Sequence, residues 1–192
     1  MLRRLFNIIL SILGLAVCLP LFLCLILLSS IDTRAFGLFR LVRIGKNGKP
    51  FTMYKIRSMK PTDSKQSNVV TNNNPNITSF GHFLRKTKLD ELPQLWNVLI
   101  GNMSFVGPRP DVPGYADQLQ GDDKIILTVR PGITGPASLA FRDEEELLAE
   151  QDDPQRYNDE VIWPEKVRIN KEYIRNYSLL KDIKLIFKTV LE

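Results

Sequence analysis

Asp90 and Glu91 are adjacent acids in the stretch Lys88 to Asp111, KLDELPQLWNVLIGNMSFVGPRPD. Arg85, Lys86 and Lys88 lie just upstream, and Arg109 sits between two prolines downstream. A carboxylate pair in a basic, turn-rich frame suits a phosphorylated substrate, because fixed cations neutralise phosphate oxygens that would repel an anionic nucleophile. One acid can attack phosphorus and form an acyl-phosphate while its neighbour holds a metal ion or handles a proton. Mg2+ is the ion that this chemistry calls for at a diphosphate. The plainer alternative is that Asp90 caps a helix and Glu91 is exposed, since acids are ordinary at a helix start and Pro93 fits a first turn. The residues alone leave both readings open.

The elements that would position this pair follow from periodicity and turn chemistry. A helix is expected to start at the acids, to carry Leu92, Leu95, Trp96, Leu99 and Ile100 on a wide apolar face, and to stop at Gly101. Another is expected from Ser79 or Phe80 through Lys86, with Phe80, Phe83 and Leu84 on its apolar side. His82, the only histidine, precludes a metal site of several imidazoles and is expected at the surface. Two proline turns each carry an arginine, FVGPRP with Arg109 and VRPGITG with Arg130, and rigid backbone there would present a guanidinium from a fixed support. Neither turn has the spacing of a nucleotide-binding P-loop, and GxGxxG is absent. Asn47-Gly48 is expected as a two-residue hairpin turn between strands at Leu41 to Ile44 and Phe51 to Ile56. Lys60 to Asn76 reads as a polar surface loop. Asp143 to Glu146 reads as the solvated first turn of a helix, and no EF-hand spacing supports metal binding there. In the tail, Ile183, Ile186, Phe187 and Val190 share one helical face and Lys181, Lys184 and Lys188 another, as on a basic amphipathic helix at a headgroup layer or one docked on the core.

At 192 residues the chain can hold one modest domain. Its net charge of +5 suits a membrane surface, a nucleotide or a lipid phosphate, and no nucleic-acid-binding signature accompanies it, so nucleic acid is not an expected partner. Cys18 and Cys24 lie in the apolar N-terminal run and are expected as small buried hydrophobes in a reduced protein. From Leu5 to Ile31 there is no charged side chain, a run longer than the ~20 residues a membrane-spanning helix needs. A signal peptide is the alternative, but the run is too long and its end lacks a small-residue cleavage site. Pro20 near the middle predicts a kink or break. Arg3 and Arg4 precede the run and Arg34, Arg40, Arg43, Lys46 and Lys49 follow it. The positive-inside tendency keeps both flanks in the cytoplasm, which a helix-break-helix hairpin satisfies and one straight crossing does not.

Several of these stretches together carry a resemblance: the anchor with Pro20, RIGKNGKPF followed by YKIRSM, LRKTKLDELPQLWNVLIGNMSFVGPRP, RPGITG and the Ser178 to Thr189 tail. In them the chain resembles the bacterial sugar transferase family, small monotopic phosphoglycosyl transferases that start polyprenol-linked glycan assembly. The resemblance covers nearly the whole chain. It implies a mixed α/β fold, with residues 1–33 as a re-entrant membrane helix broken at Pro20. Residues 34–192 would form one catalytic domain, seated by amphipathic helices on the cytoplasmic face of the bacterial inner membrane. It implies that Asp90 attacks the β-phosphate of a UDP-sugar and expels UMP. Polyprenyl phosphate, usually undecaprenyl phosphate, then takes up the phosphosugar and passes into the pathway of downstream glycosyltransferases. Glu91 would support metal binding or activate the lipid phosphate, Mg2+ would be bound at Asp90 and Glu91, and Arg109 would contact phosphate or uridine. Arg85, Lys55, Arg57 and Arg130 would be supporting charges. The chain departs from the family pattern at Leu19-Pro20, where Ser-Pro is frequent, at Ala35-Phe36, at Leu41, and at Pro136 to Arg142 after RPGITG. These departures leave the phosphate chemistry in place and the sugar open. A membrane phosphatase using Asp90 and an inert adaptor of a glycan assembly complex are the rival readings.

Overall fold

The computed structural model of the chain describes residues 2–61 and 74–191. Most of the polar loop expected at Lys60 to Asn76 therefore lies outside the described residues. Its two ends are pinned together: Met59 and Ile77 form an antiparallel bridge, and Lys60 N donates to Asn76 O at 2.9 Å.

Helix α1 (Leu2–Thr33) includes Pro20 and, at 1.5 Å per residue, is about 48 Å long. Among the described residues it is the one helix long and apolar enough to cross a membrane. Ile9, Leu13, Val17, Leu23, Leu27 and Ile31 stand exposed along it. Cys24 is exposed with them and Cys18 is half-buried, contrary to the expected burial, because the helix turns its apolar side outward. Its buried stripe is mostly polar: Asn7, Ser11, Ser29 and Thr33, with Leu25. Asn7 Nδ2 donates to Ser104 Oγ at 2.9 Å near one end, and Ser29 Oγ donates to Arg57 O at 2.6 Å near the other. The arginines ahead of the apolar run turn inward as well. Arg3 Nη2 donates to Val106 O at 2.7 Å, and Arg4 donates to Val98 O and Leu99 O at 2.5 and 2.6 Å. Both ends of α1 are thus hydrogen-bonded to the same domain.

Strands β1 (Leu38–Ile44) and β2 (Pro50–Ile56) pair antiparallel, from Leu38 opposite Ile56 to Ile44 opposite Pro50. The hairpin loop is longer than the two residues expected. Gly45 N donates to Lys49 O at 2.9 Å, and a 3-10 turn over Lys46–Gly48 places both Asn47 and Gly48 at positive φ, 60° and 71°. Helix α2 (Ser79–Lys86) starts at Thr78, whose Oγ1 accepts from Gly81 N at 2.9 Å. A Cβ on Gly81 would stand 1.9 Å from Ser58 O, so no larger residue fits there. Helix α3 (Gln94–Ile100) ends at Gly101, which takes the left-handed conformation expected of such a stop.

Strands β3 (Ser104–Val106) and β4 (Gly132–Thr134) pair in parallel. Short helices α4 (Pro136–Ala140), α5 (Glu144–Ala149) and α6 (Pro154–Tyr157) lead to α7 (Trp163–Arg175) and α8 (Leu179–Leu191). Three apolar clusters hold the body together. Leu25 of α1 packs with Ile56 and Leu84, Met53 with Val98 and Met103, and Ile44 with Ala116, Ile126 and Val167. Leu84, Val98 and Met103 are completely buried, each side chain stabilising the fold by ~1.5–3 kcal/mol relative to exposure. On α8, Asp182 is buried, accepting from Tyr173 Oη and paired with Arg3 Nε at 3.1 Å, while Leu180, Phe187 and Val190 are exposed. The architecture is a mixed helix and strand domain with a long, apolar N-terminal helix.

Candidate active site

The acidic pair does not begin α3. Asp90 and Glu91 lie in a 3-10 turn over Leu89–Glu91, and Lys88 before it takes the left-handed conformation at φ 55°. That reversal turns the two carboxylates into the protein, leaving Asp90 4% and Glu91 8% exposed. Neither side chain caps a helix. An exposed Glu91 beside a capping Asp90 is therefore not what the chain forms.

Two cations compensate the buried charges. Lys55 Nζ lies 3.1 Å from Asp90 Oδ2 and 3.0 Å from Glu91 Oε1. Arg109 grips Glu91 with both terminal nitrogens, Nη1 to Oε2 at 3.3 Å and Nη2 to Oε1. Burial works against the Glu91 charge, but the Arg109 guanidinium and the Lys55 ammonium outweigh it and hold the carboxyl well below the usual range. Glu91 in turn raises the Arg109 pKa against the opposing effect of burial. Asp90 Oδ1 is buried and has no hydrogen-bond partner among the described residues.

Each of these side chains is placed by a specific tie. Asn97, fully buried on α3, accepts from Tyr54 N at 3.1 Å and donates to Thr52 O at 2.7 Å, so it straps β2 and hence Lys55 to the helix that follows the acids. Arg109 is set by the β3–β4 pair, which brings FVGPRP and VRPGITG back to back. Ser104 N donates to Pro131 O and Gly132 N to Pro108 O, both at 2.8 Å, and Gly107 N donates to Thr134 O at 2.9 Å. A Cβ on Gly132 would stand 2.2 Å from Gly107 N, so the glycine in the second motif is what lets the first approach.

Of the five basic residues expected at the site, Lys55 and Arg109 touch the acids. Arg130 Nε instead donates to Gly101 O at 2.6 Å, sharing the end of α3 with Arg4. Arg57 Nε donates to Phe36 O at 2.9 Å and its guanidinium lies 4.8 Å over the Phe39 ring. Arg85 is paired with Glu145. Pro20 lies within α1, whose Phe22 and Leu25 share an apolar cluster with Leu89 and Leu92 on either side of the acids.

Other charged residues join the site that the sequence reading did not single out. The Asp111 carboxyl is pushed up to about 7 by burial, partly offset by Lys166, Arg109 and Arg43 and reinforced by Glu144. Burial and the neighbouring Arg109 lower the Arg43 pKa, with Asp111 opposing. Asp111 and Arg109 also line a small cavity of about 20 Å³ with Ile44, Pro108 and Pro131, room for no more than a water. The one sequence signal was the position of Asp111 immediately after GPRP. Lys166 and Glu144 come from distant segments and gave none.

Among the described residues no three His, Cys, Asp or Glu side chains cluster for a metal ion. Mg2+ needs no such cluster: it commonly takes one or two carboxylates and completes its shell with phosphate oxygens and water. The unpartnered Asp90 Oδ1, with Glu91 beside it, fits that donor set.

Fold and site together define a domain with a long apolar helix that presents a buried carboxylate pair framed by lysine and arginine. A family model described as bacterial sugar transferase matches residues 1–192, and the chain belongs to that family. The UDP-glucose:undecaprenyl-phosphate glucose-1-phosphate transferase of Escherichia coli is 37% identical over 195 residues, covering 99% of this chain and 39% of that protein. The UDP-galactose-lipid carrier transferase of Erwinia amylovora is 32% identical over 206 residues, covering 98% and 39%. The exopolysaccharide production protein PSS of Rhizobium leguminosarum bv. phaseoli is 35% identical over 197 residues, covering 98% and 93%. The chain therefore spans about two fifths of the first two relatives and nearly all of the third.

Proposed function

We propose that this protein transfers a sugar-1-phosphate from a UDP-sugar to polyprenyl phosphate, with Asp90 as the nucleophile. The observation that carries the reading is the buried Asp90 with one oxygen held by Lys55 and the other unpartnered, beside the Glu91–Arg109 pair. The names of the relatives, which act on UDP-sugars or undecaprenyl phosphate, supply the substrate classes.

In the first step an Asp90 carboxylate oxygen attacks the β-phosphorus of the donor. The bond from that phosphorus to the bridging oxygen breaks, and UMP leaves with the electron pair. The sugar phosphate is then an acyl-phosphate on Asp90. In the second step a phosphate oxygen of the lipid attacks the same phosphorus, the acyl-phosphate bond breaks, and Asp90 regains its carboxylate. Lys55 and Arg109 stabilise the charge that builds on the phosphoryl oxygens. Glu91 keeps both cations in register. Asp90 and Glu91 would hold Mg2+, which supplies charge neutralisation at the diphosphate.

The membrane reading belongs to the same proposal. Both ends of α1 bond to one domain, at Arg3, Arg4 and Asn7 and again at Ser29. A hydrocarbon core of ~30 Å would separate the ends of a straight crossing. We read the helix as entering and leaving by the same face, with Pro20 as its bending point, the exposed apolar side of α8 at the interface and the site facing the cytoplasm of a bacterial inner membrane; the contacts of both its ends with one domain support this reading.

Purified protein in lipid nanodiscs, given a panel of UDP-sugars, polyprenyl phosphate and Mg2+, is expected to release UMP and form a lipid-diphosphosugar from at least one donor. Free sugar phosphate made without the lipid would instead identify a hydrolase, and no UMP from any donor in a folded preparation would overturn the assignment.

A further inference from the structure

Two acids at the start of α5 occupy cations around the proposed phosphate site. Glu145 takes Arg85 in a bidentate grip through Nε, at 3.3 Å, and Nη2. Lys166 Nζ, on α7, donates to both oxygens of Glu144 at 2.6 Å each. These are not the freely solvated acids the sequence suggests. The side chains of Arg85 and Lys166 are 17% and 16% exposed, those of Glu145 and Glu144 35% and 26%.

The pairs border the carboxylate turn. Arg85 closes α2, and its carbonyl accepts from Lys88 N at 3.2 Å at the entrance to the Asp90 turn. Glu144 acts electrostatically on Arg109 and on Asp111, and Lys166 on Asp111 as well. The helix that carries the two acids is six residues long, and Leu148 is its one buried residue. These two ion pairs tie its start to α2 and α7. A carboxylate that chelates Arg or Lys copies the oxygen geometry of a phosphate, and a diphosphate offers the same cations more charge.

We propose that Glu144 and Glu145 are internal counter-anions for the donor diphosphate. They hold Lys166 and Arg85 in the substrate-free protein and are displaced from at least one of them when the nucleotide diphosphate binds. Lys166 thereby becomes a donor-binding residue, and the start of α5 an electrostatic gate whose release accompanies binding. The inference rests on the transferase reading for its ligand, yet it can fail separately.

The test is UDP affinity by calorimetry on the full chain in nanodiscs, for wild type, E144Q, E145Q and K166M, with thermal melts as the folding control. KM and kcat are read for the UDP-sugar and KM for polyprenyl phosphate. Removing one competing charge is expected to tighten UDP binding roughly tenfold, about 1.4 kcal/mol, in at least one Gln variant. KM for the UDP-sugar should fall by a similar factor with kcat within about twofold, since gating acts on binding rather than on the chemical step. K166M should weaken UDP binding and, combined with E144Q, cancel any gain from that substitution. Unchanged or weaker UDP binding in both folded Gln variants would overturn the inference, and so would a fall in KM confined to polyprenyl phosphate. UMP release by wild type together with that negative result would refute the gate alone. A positive UDP response without UMP release from any donor would refute the transferase reading and leave the gate standing.

Discussion

At Asp90 the two carboxylate oxygens differ: Oδ2 is held by Lys55, and Oδ1, buried without a partner among the described residues, is the atom the proposed mechanism uses. Asp90→Asn keeps the shape and removes the proposed nucleophile, so UMP release should fall by at least ~1,000-fold while the melting temperature holds or rises. Glu91 is the partner whose charge is secured. Its carboxyl is held below the ordinary range once the Arg109 and Lys55 contributions outweigh burial. The stability it contributes is therefore fully present above the unfolded carboxyl pKa and is lost as pH falls through the depressed folded value. Asp111 behaves in the opposite sense. Its folded pKa of about 7 exceeds the unfolded value, near 3.9, so its contribution is complete below pH ~4 and is lost as pH rises towards 7. Denaturant titrations of Asp111→Asn between pH 4 and 7 should show a flatter stability profile than wild type; an identical profile would refute the assignment. The acids and Arg109 were legible in the sequence because they share one short stretch, whereas Lys55, 35 residues before Asp90, was indicated only by the family resemblance. Asp111 and the Glu144–Lys166 pair were not, because their partners meet only through tertiary packing.

Two elements convert short motifs into a site. The strap from Asn97 to both Thr52 O and Tyr54 N fixes the β2 position from which Lys55 reaches the acids. Asn97→Ala leaves partly buried backbone groups of β2 without their Asn97 partner and should cost ~1 kcal/mol in denaturant unfolding, together with a loss of kcat. The parallel β3–β4 pair does the same for Arg109. Gly132→Ala would place a methyl 2.2 Å from Gly107 N, forcing the two turns apart, and UMP release should drop more steeply than stability. Helix α2, the hairpin and the Gly101 stop were readable from caps, strand patterning and glycine. The pairing of GPRP with RPGITG was not, since parallel register between three-residue strands leaves no periodic signal. The acidic turn was misjudged as the head of α3 because the left-handed Lys88, which turns the pair inward, is a conformation that sequence does not advertise for lysine.

For the molecule as a whole, the N-terminal helix and the site are one mechanical unit. Arg3 bonds to Val106 O, two peptide units before the proline turn that carries Arg109, and to Tyr173, and it pairs with Asp182 of α8. The long apolar helix is therefore built onto the same scaffold as the Glu91–Arg109 pair. On the proposed hairpin topology, cysteines introduced near Asp32 and near Leu2 should be labelled from the cytoplasmic side alone; periplasmic labelling at either would contradict it. The apolar run made a long apolar N-terminal helix readable from sequence. Its polar buried stripe, which docks it to the domain, became visible only with the fold. The central claim, that Asp90 becomes covalently loaded, is tested most directly by peptide mass spectrometry after incubation with an accepted UDP-sugar and Mg2+ in the absence of lipid acceptor. The account predicts a sugar-phosphate adduct on the peptide containing Asp90, chased off by polyprenyl phosphate and absent from Asp90→Asn. UMP release that requires the lipid from the outset, with no adduct at any time, would contradict it.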